Sequence, residues 1–229
     1  MQKELHRLPA SERIWMIADK ESFKELHSGI HFYDPLNFKG YEERVKLAEE
    51  KTGLKEAVVT GRCSINGYPC VLIVMDSHFM MGSMGSVAGE MICAAFEYAA
   101  ERKLPVITFA ASGGARMQEG VASLAQMAKT AGAVKEHSDK GLLYVSVITD
   151  PTLGGVSASF ASLADIIIAE PQAVYGFTGR RIIQDTIMKE LPEDFQSSES
   201  AMKHGAIDMI VERDELKPVL GELLKLHIR

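Results

Sequence analysis

Hydrophobic positions change their period along this chain, and each period predicts a different element. Residues 11–27 read as an amphipathic helix, with Ser11 as the N-cap candidate and Ile14, Ile17 and Ala18 on one face. Residues 41–51 read as a second, highly charged helix ended by Gly53. The pattern then turns β-rich. Glu56 to Ile65 and Tyr68 to Met75 flank Asn66-Gly67, a dipeptide that favours a tight hairpin because both turn positions want positive φ.

After the hairpin one theme recurs: an apolar strand, a glycine turn, then a helix of small residues. Val71–Met75 runs into Gly82-Ser83-Met84-Gly85 and a helix from about Val87 to Arg102. Val106–Ala110 runs into Ser112-Gly113-Gly114 and a helix through Met127 toward His137. Leu142–Thr149 runs into Leu153-Gly154-Gly155 and a short helix through Leu163. Strands alternating with helices predict an α/β fold with parallel strands covered by helices. A last helix, from about Asp214 to His227, carries Leu216, Leu220, Leu223, Leu224 and Leu226 on an apolar face. That face suits either the core or a subunit interface. At 229 residues the chain has room for one sizeable domain over 1–229, with 1–53 as its N-terminal helical segment.

Charge and composition narrow the function classes. Lys plus Arg number 25 and Asp plus Glu 31, a net charge of −6, which argues against nucleic-acid coating. A small anionic ligand held by a few arginines stays open. Cys63, Cys70 and Cys93 form no C-x-x-C pair, so the sequence predicts reduced thiols and no zinc site. The start of the chain has no apolar h-region, and no apolar run is long enough to span a bilayer. A soluble, cytoplasmic protein with no membrane contact is expected.

Common catalytic signatures are missing: no Walker A loop, no G-x-G-x-x-G, no G-x-S-x-G and no H-E-x-x-H. Ser112 sits where nucleophiles are sometimes exposed, and His137 and His204 are available, but a turn-forming or capping serine is the simpler account. The glycine turns are more suggestive. Glycine admits unusual φ and leaves the backbone accessible, and the first amides of a helix lack internal partners. Two such turns face to face could hold one developing oxyanion between backbone N–H groups. The competing account is that these glycines only permit tight turns and close packing.

Several blocks in one order resemble the carboxyltransferase beta-subunit family of acetyl-CoA carboxylases. They include Phe79-Met80-Met81-Gly82-Ser83-Met84-Gly85-Ser86-Val87 and Ser112-Gly113-Gly114-Ala115-Arg116-Met117-Gln118-Glu119-Gly120. Asp150 to Phe160, Ile168 to Pro171, Gly176 to Arg181, Leu191 to Gln196 and His204 to Asp208 follow. The resemblance runs from about residue 7 to the C-terminus. It implies the crotonase-like fold, a spiral of ββα units. It implies transfer of a carboxyl group from carboxybiotin on a carrier protein to acetyl-CoA, giving malonyl-CoA, the first committed step of fatty acid synthesis. In the family carboxybiotin releases CO₂, the freed nitrogen takes a proton from the acetyl methyl, and the enolate attacks CO₂. The implied partners are an alpha subunit in an α₂β₂ assembly, the biotin carboxyl carrier protein and, in the wider complex, biotin carboxylase.

Combined with the glycine turns, the resemblance gives the expected site. Gly114 or Ala115 and Gly154 or Gly155 supply the oxyanion donors. Gly82, Ser83, Met84, Gly85 and Gly113 are expected to contact the acyl-CoA substrate, and Arg116, Arg180 and Arg181 either its phosphates or carboxylate or else partners in surface or structural ion pairs. The family usually carries an N-terminal zinc ribbon with four cysteines, and this chain starts about where the ribbon would end, so no zinc is expected here. Leu153 stands where threonine is common in the family, and Thr178 where alanine is common. Neither alters a backbone donor. Three alternatives remain. One is a hydratase or decarboxylase of the same fold, using Glu119 as acid or base. Another is a propionyl-CoA-type carboxyltransferase subunit. The last is a non-catalytic subunit that binds acyl-CoA or partners.

Overall fold

A computed structural model describes residues 6–30 and 32–227, with the side chain of Arg181 outside that description. In chain order the elements are α1 (Ala10–Ile17), β1 (Lys24–Leu26), α2 (Tyr41–Thr52), β2 (Val58–Ile65) and β3 (Tyr68–Met75). Then come α3 (Ser86–Arg102), β4 (Val106–Ser112), α4 (Val121–Asp139), β5 (Tyr144–Thr152) and α5 (Gly154–Ser157). The chain ends with β6 (Ile166–Ala169), α6 (Arg180–Ile187), α7 (Ser198–Lys203), β7 (Met209–Ile210) and α8 (Leu216–His227).

The strands form one seven-stranded sheet in sequence order. β1, β2 and β3 pair antiparallel, and β3 through β7 pair parallel. The hairpin forms as its sequence predicts, with Ile65 opposite Tyr68 and positive φ at Asn66 and Gly67. The central strands are buried on both faces and split their side chains by period two. Val71, Ile73 and Met75 of β3, Val106 and Ala110 of β4, and Tyr144 and Ile148 of β5 pack under α3, α4 and α5. Cys70, Leu72, Val74, Ile107, Phe109, Val145 and Val147 face the opposite layer, built from α1 and α8.

The N-terminal helix needs correction. The helix expected over 11–27 stops at Ile17, and its N-cap is Pro9, not Ser11. The first amide of α1 instead donates to the Asp76 carboxylate, 2.7 Å away. Residues 24–26 leave the helix because β2 offers an open edge, and Lys24 pairs with Arg62. Of the two roles open to the leucine face of α8 the core takes most of it: Leu216, Leu220 and Leu224 are buried against the sheet, and Leu226 points outward. Its apolar face therefore gives no argument for a partner. Two arginines close the same layer, since Glu170 accepts from both Arg13 and Arg213.

Candidate functional site

β4 and β5 lie side by side and parallel, so their C-terminal turns emerge together. Ser112 pairs with Thr152, and the Leu153 amide donates to the Ser112 carbonyl at 2.8 Å. The two turns then touch through their glycines. A Cβ on Gly114 would lie 3.2 Å from the Gly154 Cα and 3.5 Å from the Gly155 nitrogen. Both Gly114 and Gly154 hold positive φ, at 120° and 59°, which side chains rarely adopt. Close approach is thus the function of these two glycines.

The amides sort into engaged and free. Gly113 N–H donates to the Met81 carbonyl at 2.8 Å, and Gly114 N–H to the Ser112 hydroxyl at 3.0 Å. Gly154 N–H donates to the Phe177 carbonyl at 2.8 Å. Among the described residues, the amides of Ala115 and Gly155 have no partner. For Ala115 the cause is the short parallel bridge to Met84: Met84 N–H donates to Gly114 O and Arg116 N–H to Met84 O, each at 2.9 Å, so the amide between them is left over. For Gly155 the cause is its place in the first turn of α5, where no carbonyl of the same helix stands four residues back to accept from it. This narrows the expected donor set: Gly114 and Gly154 are spoken for, and Ala115 and Gly155 remain. Ser112 is fully buried and shapes the turn from inside.

The strip from Gly82 to Gly85 packs tightly against its neighbours. A side chain on Gly82 would overlap the Ala111 carbonyl, and one on Gly85 the Glu119 carboxylate. Met84 is buried.

Arg116 takes the structural ion-pair alternative. It is 1% exposed, and all five of its N–H donors are engaged inside the protein. Nε donates to the Ser83 hydroxyl at 3.1 Å. Nη1 donates to Glu56 at 2.8 Å and to the Tyr41 hydroxyl at 3.2 Å, while Nη2 donates to Glu56 and to the Ser83 carbonyl. Burial works against its charge, but Glu56 outweighs burial and keeps the guanidinium firmly protonated. No donor is left for a CoA phosphate. Tyr41 completes the cluster by donating to Glu119 at 2.7 Å. Glu119 also accepts from the Ser86 amide and hydroxyl, each at 2.6 Å, and thereby caps α3 from outside that helix. A carboxylate so committed is turned away from any substrate. Burial raises the Tyr41 phenol above its usual range, so it stays a neutral donor.

Tyr41 and Glu56 are invisible in the sequence reading. Tyr41 opens a charged helix and Glu56 precedes a strand, and neither lies near the glycine turns after β4 and β5 in sequence. Arg180 is placed elsewhere, donating to the Leu191 carbonyl at 2.6 Å and to that of Glu193 at 3.3 Å. It ties α6 to the loop that follows. The Arg181 side chain lies outside the described residues. The blocks at Leu191–Gln196 and His204–Ala206 come together along one apolar groove with Tyr175. Around the paired turns Met81, Met117 and Phe177 are all exposed, an apolar rim beside the two free amides. Among the described residues, no group of three or more His, Cys, Asp or Glu is placed to hold a metal ion, and no helix is long and apolar enough to cross a membrane.

Comparison with known proteins gives the same family. The carboxyl transferase domain matches residues 7–218. The acetyl-coenzyme A carboxylase carboxyl transferase subunit beta of Desulforamulus reducens is 58% identical over 221 residues, which is 96% of this chain and 77% of the relative. Among solved structures, transcarboxylase 12S with methylmalonyl-coenzyme A and methylmalonic acid bound aligns with a TM-score of 0.83 at 28% identity. That alignment takes in 95% of this chain but 41% of the transcarboxylase chain, so this chain spans well under half of that relative. A Pseudomonas malonate decarboxylase hetero-tetramer in complex with malonate shares the fold, with a TM-score of 0.78 at 23% identity over 99% of this chain and 86% of that one. By the extent of these matches the chain belongs to the carboxyl transferase domain family and carries its crotonase-like α/β fold.

Proposed function

We propose that this chain is the acyl-CoA side of an acetyl-CoA carboxyltransferase, forming malonyl-CoA at the entry to fatty acid synthesis. The observation that carries the reading is the pair of unpartnered amides, Ala115 and Gly155, on turns that abut at the ends of β4 and β5. The thioester oxygen of acetyl-CoA binds between them. As the acetyl methyl loses a proton, charge builds on that oxygen, and two fixed N–H dipoles stabilise it without reorganising. Gly114 and Gly154 contribute bare backbone, which lets the turns close to this spacing. Carboxybiotin, brought by a carrier protein, supplies the carboxyl group. This chain holds the acceptor, and the biotin side falls to an alpha subunit, in an α₂β₂ complex working with biotin carboxylase. The relative's name and the 58% identity support this choice of substrate and partners.

A hydratase or decarboxylase of the same fold would need a side-chain acid or base. Glu119, its best candidate, faces inward on three hydrogen bonds. The test is malonyl-CoA formation with an alpha subunit and biotinylated carrier, with and without this chain. Acetyl-CoA carboxylation that depends on the chain is expected. Turnover of acyl-CoA without biotin would refute the reading, and a preference for propionyl-CoA would reassign the substrate. Light scattering of the co-purified subunits checks α₂β₂, which full activity from the isolated chain would overturn.

A further inference from the structure

The Ala115 amide makes no hydrogen bond of its own, so its direction is set by its neighbours. Both neighbours hold Met84, Gly114 through its carbonyl and Arg116 through its amide. The strip they hold is itself gripped by the Arg116 side chain, which donates to the Ser83 carbonyl and hydroxyl. Backbone and side chain of one residue thus clamp two adjacent residues, the backbone Met84 and the side chain Ser83. What aims that side chain is Glu56 on one side and the Tyr41 hydroxyl on the other.

We infer that Tyr41 is a positioning residue for the candidate oxyanion turn, its hydroxyl joining the Arg116 fork to the Glu119 carboxylate. The inference rests on the oxyanion reading above. The oxygen accepts from Arg116 Nη1 at 3.2 Å and donates to Glu119 Oε1 at 2.7 Å. Glu119 fixes the far end of the strip through Ser86. One atom therefore locks both ends of the segment that orients Ala115. The ring is held independently. It is fully buried with Val45, Ala48, Ala57 and Phe79, and meets Phe32 edge-on at 5.0 Å between centroids. Removing the oxygen therefore leaves the packing in place and releases only the lock. A buried fork and carboxylate that lose a shared partner shift to find others, and small misplacements of a reacting group weigh heavily on turnover.

The experiment uses the complex with its alpha subunit and carrier, comparing wild type, Tyr41→Phe and Arg213→Ala. The last breaks a separate buried ion cluster, where Arg213 meets Glu170, and serves as a control for lost stability. Assays are run where melting curves show every variant folded. The expected result for Tyr41→Phe is a kcat lowered about 10-fold or more with the KM for acetyl-CoA within about two-fold of wild type. Arg213→Ala keeps a wild-type kcat. A folded Tyr41→Phe variant with normal kcat overturns the inference, as does a loss that Arg213→Ala matches. Wild-type complex without carboxyltransferase activity overturns the oxyanion reading, and the inference with it.

Discussion

A methyl group on Gly154 would lie 2.9 Å from the Gly114 Cα, so the two turns of the site meet backbone to backbone. The position also holds φ at 59°, where a side chain is strained whatever the space. Gly154→Ala is expected to cost about 1–3 kcal/mol of stability and to push the Ala115 and Gly155 amides apart. Denaturant titration together with kcat checks both effects. Wild-type turnover in Gly154→Ala would show that the contact does not set the site.

Gly132 gives the opposite expectation. It lies inside α4, and a Cβ there meets nothing within 4 Å. Gly132→Ala should stabilise the protein by about 0.5–1 kcal/mol through lower unfolded-state entropy and better helix propensity. Activity should not change. A lower melting temperature would contradict the helical geometry at this position.

Gly155→Pro removes the donor itself. Turnover should fall about 100- to 1000-fold if the fold survives, with acyl-CoA affinity much less affected, because the charge develops in the transition state. Circular dichroism establishes folding, and steady-state kinetics separate kcat from KM. Near-normal kcat in the folded variant would remove Gly155 from the site.

Arg116→Ala is expected to act on stability before binding. It strands the Glu56 carboxylate, 5% exposed, without its cation. Breaking a buried pair from one side costs about 3–5 kcal/mol. The measurement is chemical denaturation, with acyl-CoA affinity determined on the folded fraction. A stable variant with weakened CoA binding would restore the phosphate contact that the engaged guanidinium argues against.

His137 makes stability depend on pH. Burial lowers its pKa below the ordinary 6.5, with Nε2 against the Leu104 carbonyl at 2.9 Å and Nδ1 unpartnered. The unfolded chain then binds the proton more readily than the folded one, so stability is complete above about pH 6.5 and falls as pH drops below that value. Glu170 adds a second loss at lower pH. Burial pushes its pKa up, but Arg213 and Arg13 outweigh burial and hold it below 4.5. Its contribution therefore fades below pH 4.5. Melting temperature against pH, for wild type and His137→Gln, checks the first window: the variant should flatten the slope just below pH 6.5. An unchanged slope would rule His137 out as its cause.

The hairpin at Asn66-Gly67, the strand–glycine–helix order and the doubly buried central strands were all legible in the sequence, because each depends on residues a few positions apart. The glycine pairs at 113–114 and 154–155 could be picked out on the same basis. Which amides stay free could not. Gly154 is occupied by Phe177, 23 residues on, and Ala115 is left over by a bridge to Met84. Arg116 looked like a ligand of phosphate because its place beside the turn is local information, while its partners are not. Glu56 is 60 residues away and Tyr41 is 75. The helix at the N-terminus was overextended for a related reason: its periodicity runs on, but the open edge of β2 captures residues 24–26. Spacing along the chain determines what backbone each segment can form. Which polar groups are satisfied, and which remain for a substrate, is decided only when distant segments are buried together, since a buried donor must take whatever acceptor the packing brings to it.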